Sequence, residues 1–257
     1  METTSLDHGV AEARRAAQNG GVPVVMSGDG LVGQIGGALA GTGVPMGIIP
    51  GGRGNDLARV LGIPDDPVGS VAVLANGNER EIDVGVANDR RFLGVASCGF
   101  DSDANRIANE TRVVRGNLVY AYAALRALAA WRPATFEVTL DDDEPLKFRG
   151  YSVAAGNNRA FGGGMFVAPH AELDDGLLDV IVVSEVGKLR YLRGIPKVFK
   201  GTHLEDEEVT ELRAATVEIS ADREFAVYAD GERLTDLPVT LSTLKRALRV
   251  IAPPAPA

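Results

Sequence analysis

Two glycine-rich segments, each set between a short apolar run and a helix-like stretch, constrain the fold of this chain more than any other feature. The first is residues 27–30 (S-G-D-G), which follows the apolar run 22–26 and precedes a predicted helix at 31–39. The second is residues 50–56 (P-G-G-R-G-N-D), in the same setting. A repeated order of strand, glycine turn and helix is typical of a parallel sheet with helices on its faces. Because such strands end at one edge of the sheet, the two segments are expected to lie together.

The pattern changes after about residue 79. We predict an α/β domain over 1–79, a β-rich antiparallel sandwich domain over 80–251, and a disordered tail at 252–257. Further helices are predicted at 7–18, 55–61, 66–75, 104–131 and 188–200, and a hairpin at 80–97 around Asn88 and Asp89. The remaining predicted strands are 46–49, 134–141, 146–155, 177–183, 215–220, 224–229, 238–243 and 247–251.

Composition narrows the function classes. The 257 residues include 35 acidic and 26 basic ones, a net charge of -9, which argues against a nucleic-acid-binding protein. Cys98 is the single cysteine, so the chain has neither an internal disulfide framework nor a cysteine-rich zinc site. No apolar run reaches about 18 residues, and the polar first nine residues do not resemble a signal peptide. We therefore predict a cytoplasmic protein without a transmembrane segment.

The first glycine segment predicts a phosphate site. Glycine lets the backbone approach a phosphate, and the following helix offers free N–H groups at its N-terminus. Gly28, Gly30 and Gly33 also match the dinucleotide spacing G-x-G-x-x-G, but the next strand ends without the acid that would bind a ribose. Asp29 at the centre of the segment suits a bound cation or a proton transfer. An ordinary strand-to-helix turn is the alternative.

The second glycine-rich segment contains a basic residue and a candidate helix cap. Arg53 is a candidate to neutralise phosphate charge, and Asn55 is a candidate to cap the next helix or contact the nucleotide. A flexible connection is the alternative for this segment alone. Two such segments at one sheet edge indicate a nucleotide site more strongly than either one does.

Acidic turns form the third candidate group. They contain Asp83, Asp175 and the pair Asp230 and Glu232, and such acids are more often turn formers than catalysts. Asp230 is the strongest candidate because it directly follows an apolar strand. Carboxylates near phosphates can hold Mg²⁺ or accept a proton from a hydroxyl. Residues 156–164 (G-N-N-R-A-F-G-G-G) predict either close backbone approach or a plain surface loop.

In these segments the sequence resembles the bacterial diacylglycerol kinase-like lipid kinases, which are related to sphingosine kinases and more distantly to NAD kinases. The resemblance runs in order from about residue 22 to 232. It rests on V-V-M-S-G-D-G-L, G-I-I-P-G-G-R-G-N-D-L-A-R, R-E-I-D-V-G, S-C-G-F-D, A-G-N-N-R-A-F-G-G-G-M, A-P-H-A-E-L-D-D-G-L-L-D-V and Y-A-D-G-E.

The resemblance implies transfer of the ATP γ-phosphate to a lipid hydroxyl, most simply that of diacylglycerol, with Mg²⁺, in a cleft between two domains. It implies peripheral contact with the inner membrane face, and a homodimer is left open. The implied site residues fall into three sets: catalytic Asp29, Asp230 and Glu232; nucleotide-binding Ser27, Gly28, Gly30, Gly52, Arg53, Gly54 and Asn55; and metal-binding Asp175 and Asp83. Whether Asp29 or Asp230 takes the proton is left open.

The chain departs from the family pattern in three ways. Its first segment reads S-G-D-G-L where the diacylglycerol kinase branch has G-G-D-G-T, and Arg53 replaces a small hydroxyl residue. The family's opening strand and N-P-x-[SA]-G loop would precede residue 1, so an N-terminally truncated first domain is expected. Two alternatives are an NAD kinase-like enzyme and a catalytically impaired remnant that binds nucleotide or lipid.

Overall fold

The computed structural model describes residues 2–110 and 126–254. The helices are α1 Leu6–Gln18, α2 Asp29–Leu39, α3 Asp56–Val60, α4 Pro67–Asn76, α5 Phe100–Glu110 and α6 Lys188–Val198. The strands are β1 Val24–Ser27, β2 Pro45–Pro50, β3 Asn78–Ala87, β4 Arg90–Phe92, β5 Val95–Gly99, β6 Ala134–Leu140, β7 Leu146–Gly156, β8 Leu178–Ser184, β9 Val209–Ala214, β10 Thr216–Ala221, β11 Ala226–Ala229, β12 Glu232–Asp236 and β13 Val239–Ala252. Within these ranges no helix is long and apolar enough to cross a membrane.

The N-terminal part is the predicted α/β layer. Strands β1 and β2 pair in parallel, with Ser27 opposite Pro50 at their carboxyl ends. Helix α2 packs on this layer and α1 packs against α2, and the core contains Leu39, Met46 and Ile48, each at most 2% exposed. Strand β2 is largely buried on both faces, whereas β1 buries Val25 and leaves Val24 and Met26 exposed.

The C-terminal part is the predicted antiparallel β-rich domain. Its strands run in the order β10-β6-β7-β5-β11-β12, with β8 and β9 continuing from β7. The core is aromatic: Phe136 stacks on Phe148 and on Phe225, and Trp131 stacks on Tyr151. Both parts of the fold prediction are therefore confirmed.

Strand β13 joins the two parts. It pairs with β10 in the C-terminal sheet and then runs parallel to β2, with Val250 opposite Met46. Strand β3 accompanies it in antiparallel register from Leu241↔Ala87 to Ala252↔Asn78. The N-terminal core consequently includes Leu248 and Val250. The predicted domain boundary at residue 79 does not include this pairing of the C-terminal strand with the N-terminal sheet.

Several predicted strand limits differ from the structure for identifiable reasons. The second hairpin arm is interrupted at Leu93 and Gly94, because the Asp230 carboxylate accepts both of their N–H groups. The two last predicted strands are the single strand β13, with a register shift between Leu244 and Leu248. The sequence does not predict β9 and β12, because their residues are too polar for a buried strand. Each pairs with one neighbouring strand only.

Two predictions fall partly outside the described residues. The middle of the helix expected at 104–131 lies there, although α5 and the helical residues 126–130 match its two ends. Of the tail predicted to be disordered, Ala252 ends β13, and 255–257 lie outside the described ranges.

Candidate active site

The two glycine segments touch through their backbones. Because β1 and β2 are parallel neighbours, their following loops leave the sheet at one edge, and Gly51 N donates to Ser27 O at 3.0 Å. A Cβ atom added to Gly52 would lie 2.3 Å from Gly28 Cα, and one added to Gly28 would lie 3.0 Å from Gly52 Cα. Side chains at these positions would hold the loops apart, so the contact requires glycine in both.

A small crevice lies between these loops and helix α2. Its volume is about 10 Å³, and its lining residues are Ser27, Gly28, Asp29, Val32, Ile48, Pro50, Asn55 and Ala58. Helix α2 begins here with Gly28 as its N-cap, and no side chain caps it. Its first-turn N–H groups are therefore available to an anion, and the helix dipole favours negative charge at this end.

Asn55 shapes the second loop and does not cap α3. Its φ of 51° lies in the left-handed region, which asparagine tolerates better than most residues. Its Oδ1 accepts from Gly52 N at 2.8 Å, and its Nδ2 donates to Gly52 O at 3.2 Å. Arg53 at the loop tip is exposed and makes no hydrogen bond or ion pair with any described residue. Its guanidinium is available to a ligand.

Asp29 and Asp56 connect three loops. Asp29 Oδ1 accepts from Asp56 N at 2.7 Å, which caps the start of α3. The nearly buried Asp56 carboxylate accepts from Gly163 N at 2.9 Å and Gly164 N at 2.8 Å. Burial raises the pKa of Asp56; the Gly163 N–H opposes this, and the charge of Asp29 adds to it. The loop 156–164 of the C-terminal part is thus tied to the glycine loops.

Asp230 enters the same site from the far end of the sequence. Asp230 and Gly231, with φ of 51° and 81°, form the two-residue turn between β11 and β12, as favoured for Asp-Gly. The Asp230 carboxylate accepts from Leu93 N and Gly94 N, each at 2.8 Å. A Cβ atom on Gly33 would stand 2.6 Å from Asp230 Oδ2, so α2 packs directly on this carboxylate.

The surroundings of Asp230 raise the pKa of its carboxyl group. Burial raises the pKa of the Asp230 carboxyl to about 6, and the negative charges of Asp29 and Asp56 add to the increase. The N–H groups of Leu93 and Gly94 act in the opposite direction. A carboxyl with a pKa near neutrality can accept a proton and release it again, which is the property that a general base needs.

The peptide group between Leu93 and Gly94 makes hydrogen bonds through its carbonyl oxygen as well. Leu93 O accepts from Asn157 Nδ2 at 3.2 Å and from Asn158 Nδ2 at 3.1 Å, and both asparagines are fully buried. Glu232 by contrast is exposed, and a Cβ atom on Gly30 would lie 3.7 Å from its Oε1. Glu232 therefore lies at the rim of the site.

The carboxylates of the two predicted metal ligands have partners of their own, although Asn157 Nδ2 donates to both Asp83 O and Leu93 O. The fully buried Asp83 carboxylate accepts from Gly176 N and Arg246 N, each at 2.6 Å. Both oxygens accept from backbone N–H groups, as those of Asp230 do, and the sequence did not indicate these contacts. Asp175 accepts from Leu177 N at 2.9 Å and is ion-paired with Arg213. Metal binding by Asp83 and Asp175 stays a prediction.

The donor set at the glycine loops suits Mg²⁺ delivered with phosphates. In the described ranges, no three His, Cys, Asp or Glu side chains form a group that could hold a metal ion. Mg²⁺ in phosphoryl-transfer sites is commonly bound by one or two carboxylates together with substrate phosphates and water. Asp29 and Asp56 offer oxygen ligands of that kind beside the free N-terminus of α2.

The site combines expected and unexpected residues. Asp29, Asp230 and the predicted glycines come together, whereas the hydrogen bonds of the Asp83 and Asp175 carboxylates involve other residues. Asp56, Asn157 and Asn158 were not proposed as site residues. Asp56 could have been found as an acid at the first helical position after a glycine loop. The asparagines carry no comparable local signal, because their partners lie more than 60 positions away.

Comparisons with known proteins point to one family. Residues 1–87 match the family model described as "Diacylglycerol kinase catalytic domain", and residues 94–252 match "YegS C-terminal NAD kinase beta sandwich-like domain". The chain is 38% identical over 236 residues to "Diacylglycerol kinase" of Mycobacterium tuberculosis, covering 90% of this chain and 76% of that one. It is 32% identical over 239 residues to "Probable lipid kinase YegS-like" of Chromohalobacter salexigens, covering 87% and 74%.

A solved structure agrees in fold. The crystal structure of a putative diacylglycerol kinase from Bacillus anthracis superimposes with a TM-score of 0.79. The identity is 23%, over 98% of this chain and 85% of that one. At this identity the likeness concerns the fold.

Proposed function

The chain belongs to the diacylglycerol kinase family of lipid kinases, and we propose that it transfers the γ-phosphoryl group of ATP to the free hydroxyl of diacylglycerol. One observation carries the proposal: Asp230, with a pKa of about 6, packs against the helix whose free N-terminus opens between the two glycine loops. A proton acceptor and an anion site are therefore contiguous, as phosphoryl transfer to a hydroxyl requires.

The nucleotide phosphates are assigned to the α2 N-terminus and the glycine loops. Gly28 and Gly52 lack the side chains that would keep a phosphate away, and the first-turn N–H groups of α2 supply donors. Arg53, exposed and unpaired among the described residues, is assigned to the outer phosphates. Its planar guanidinium can bind two phosphate oxygens at once, in place of a hydroxyl that would bind one.

Asp230 is assigned as the general base. At neutral pH it is mainly ionised, and the Leu93 and Gly94 N–H groups fix its orientation. The lipid hydroxyl oxygen forms a bond to the γ-phosphorus while the bond from that phosphorus to the β,γ-bridging oxygen breaks. Asp230 takes the hydroxyl proton, and ADP leaves with the bridging oxygen. Glu232 at the rim is assigned to orient the incoming lipid.

Asp29 and Asp56 are assigned to the metal that accompanies ATP. Bound Mg²⁺ would neutralise the charge that develops on the phosphates. Asp29 also caps α3 through Asp56 N, so it holds the second glycine loop against the first. A cytoplasmic location, with the acceptor reached at the inner membrane face, follows from the two proposed substrates. A homodimer stays a prediction.

The experiment is transfer of labelled phosphate from [γ-³²P]ATP to diacylglycerol in mixed micelles with Mg²⁺, with NAD as a second acceptor. Asp29→Asn should abolish turnover and keep the fold, because an amide oxygen can still accept from Asp56 N. Asp142→Asn, a change in an exposed turn, is the matched control. Label entering NAD and no lipid would refute the proposal. Retained activity in Asp29→Asn would remove Asp29 from the mechanism.

A further inference from the structure

Helix α6 presents an outer face that combines apolar and basic side chains. Leu189 is 74% exposed, and Phe199, which follows the helix, is 50% exposed. Arg193 and Lys200 are exposed as well. Leu189 and Arg193 are four residues apart within the helix, so they lie on one side of it. The helix ends at Val198, and Phe199 and Lys200 follow directly after it. We refer to these four side chains as the outer face of α6. Such a face leaves apolar area in water unless something covers it.

The other side of α6 fixes the helix to the protein. Tyr191 stacks on Tyr151 with their ring centroids 4.1 Å apart. Arg190 is ion-paired with Glu208 at 2.7 Å, and Lys197 Nζ lies 2.5 Å from Asp206 Oδ1. These contacts pair Arg190 and Lys197 with acidic side chains of the protein. Together with the tyrosine stack they fix the orientation of the helix.

Arg193 and Lys200 are the cations that remain available. Neither makes a hydrogen bond or ion pair within residues 2–110 and 126–254. Exposed apolar side chains also occur without such cations. On α4, Val68 is 81% and Val71 is 52% exposed, but that helix contains no basic residue. The combination on α6 is therefore more specific than exposure alone.

Helix α6 is close in the structure to the active-site loop. Its Val198 O accepts from Phe166 N at 2.9 Å. Phe161 and Met165 pair with each other through their backbones, which places Gly163 and Gly164 at the tip of a tight hairpin. That tip donates to the Asp56 carboxylate. Phe166, which is bound to the end of α6, is therefore only two residues along the chain from Gly164, which is bound to Asp56.

We propose that the outer face of α6, formed by Leu189, Arg193, Phe199 and Lys200, docks the enzyme on the surface of an anionic phospholipid bilayer. The basic side chains pair with lipid phosphates, and the apolar ones enter the headgroup region, as in interfacial helices. Because the whole chain carries a charge of -9, an anionic surface attracts it only through a face with exposed basic side chains, and α6 offers one. The inference deepens the proposed function, since it names the surface through which a lipid acceptor is reached.

The first test measures binding without catalysis. Vesicles of phosphatidylcholine and phosphatidylglycerol in equal parts are sedimented with the protein, and the bound fraction gives the partition coefficient. Each Lys or Arg near such a surface contributes about five-fold to binding, so Arg193→Gln with Lys200→Gln should weaken binding about 30-fold. The double variant Arg14→Gln with Arg90→Gln removes the same charge from two other exposed positions and should bind like the wild type.

The second test addresses the apolar contribution. Leu189→Ser should weaken binding about tenfold, because the leucine no longer leaves water. Val68→Ser removes a side chain of similar exposure from α4 and should have no effect. Thermal unfolding of each variant checks that the fold is kept, as expected for exposed positions.

Activity separates this inference from the proposed function. With diacylglycerol in the same vesicles, the α6 double variant should raise KM about 30-fold and leave kcat unchanged. With a short-chain diacylglycerol dissolved in water, it should match the wild type. Unchanged vesicle binding by the folded α6 variants, with kinase activity intact, would overturn the docking face alone. Selective loss of binding in an enzyme that phosphorylates no lipid would support the docking face and refute the proposed function.

Discussion

Gly52→Ala tests whether the backbone contact between the two glycine loops builds the nucleotide site. The new Cβ atom would lie 2.3 Å from Gly28 Cα and 3.1 Å from Gly28 N. Both neighbours are backbone atoms, so no side-chain rotation can relieve the overlap. Gly52 is not among the residues with positive φ, and alanine can adopt its conformation. The expected effect of Gly52→Ala is therefore due to steric overlap and not to backbone strain.

The size of the effect follows from that distance. Ordinary van der Waals contact begins near 3.4 Å, so the loops must separate by about 1 Å. Forced overpacking of this kind costs about 1–3 kcal/mol, which lowers Tm by roughly 2–12 °C for a chain of this size. A displacement of about 1 Å at groups that position a substrate lowers the rate about 100-fold. We therefore expect kcat/KM for ATP to fall about 100-fold in a protein that remains folded at the assay temperature.

The assay compares kcat/KM for ATP and the Tm with and without ATP. Gly187→Ala is the control, since a Cβ atom there meets nothing within 4 Å. The control should match the wild type in every measurement. A Gly52→Ala protein whose Tm falls as expected while kcat/KM for ATP stays at the wild-type value would refute the assignment of these loops to the nucleotide.

Two further predictions concern carboxylates. Because burial raises the pKa of Asp230 to about 6 and only its ionised form can take a proton, kcat/KM should rise with pH up to about pH 6 and level off above it. A profile whose acid limb persists unchanged in Asp230→Asn would assign that limb to another group. Asp83→Asn places an NH₂ group against Gly176 N or Arg246 N and should destabilise the fold by about 1–3 kcal/mol, with the Mg²⁺ dependence of activity unchanged. An altered Mg²⁺ requirement at unchanged Tm would instead support the sequence-based assignment of Asp83 as a metal ligand.

The glycine loops show how far local signals reach. Their position between short apolar strands and helices depends on neighbouring residues only, and the structure has them where the sequence predicts. The Asp230-Gly231 turn is equally local, because few residue pairs accept two left-handed conformations in succession. Antiparallel strands in the C-terminal part follow from runs of apolar and β-branched residues.

Strand β13 shows where such signals end. Its apolar residues predict a strand, but nothing in them selects β2 and β3 as partners. Partner choice is settled by which apolar faces remain uncovered once the rest of the chain has folded. The same applies to Leu93 and Gly94, whose strand is interrupted by a carboxylate 136 or more positions away.

The sequence by itself determined the two glycine loops, the two kinds of sheet and the acids that could serve phosphoryl transfer. Only the tertiary structure decided which of those acids meet. It brought Asp29, Asp56 and Asp230 together and engaged both oxygens of Asp83 with the backbone N–H groups of Gly176 and Arg246. The physical reason is that a carboxylate's role depends on its burial, its donors and its neighbouring charges. Those are properties of folded neighbours that lie far apart along the chain.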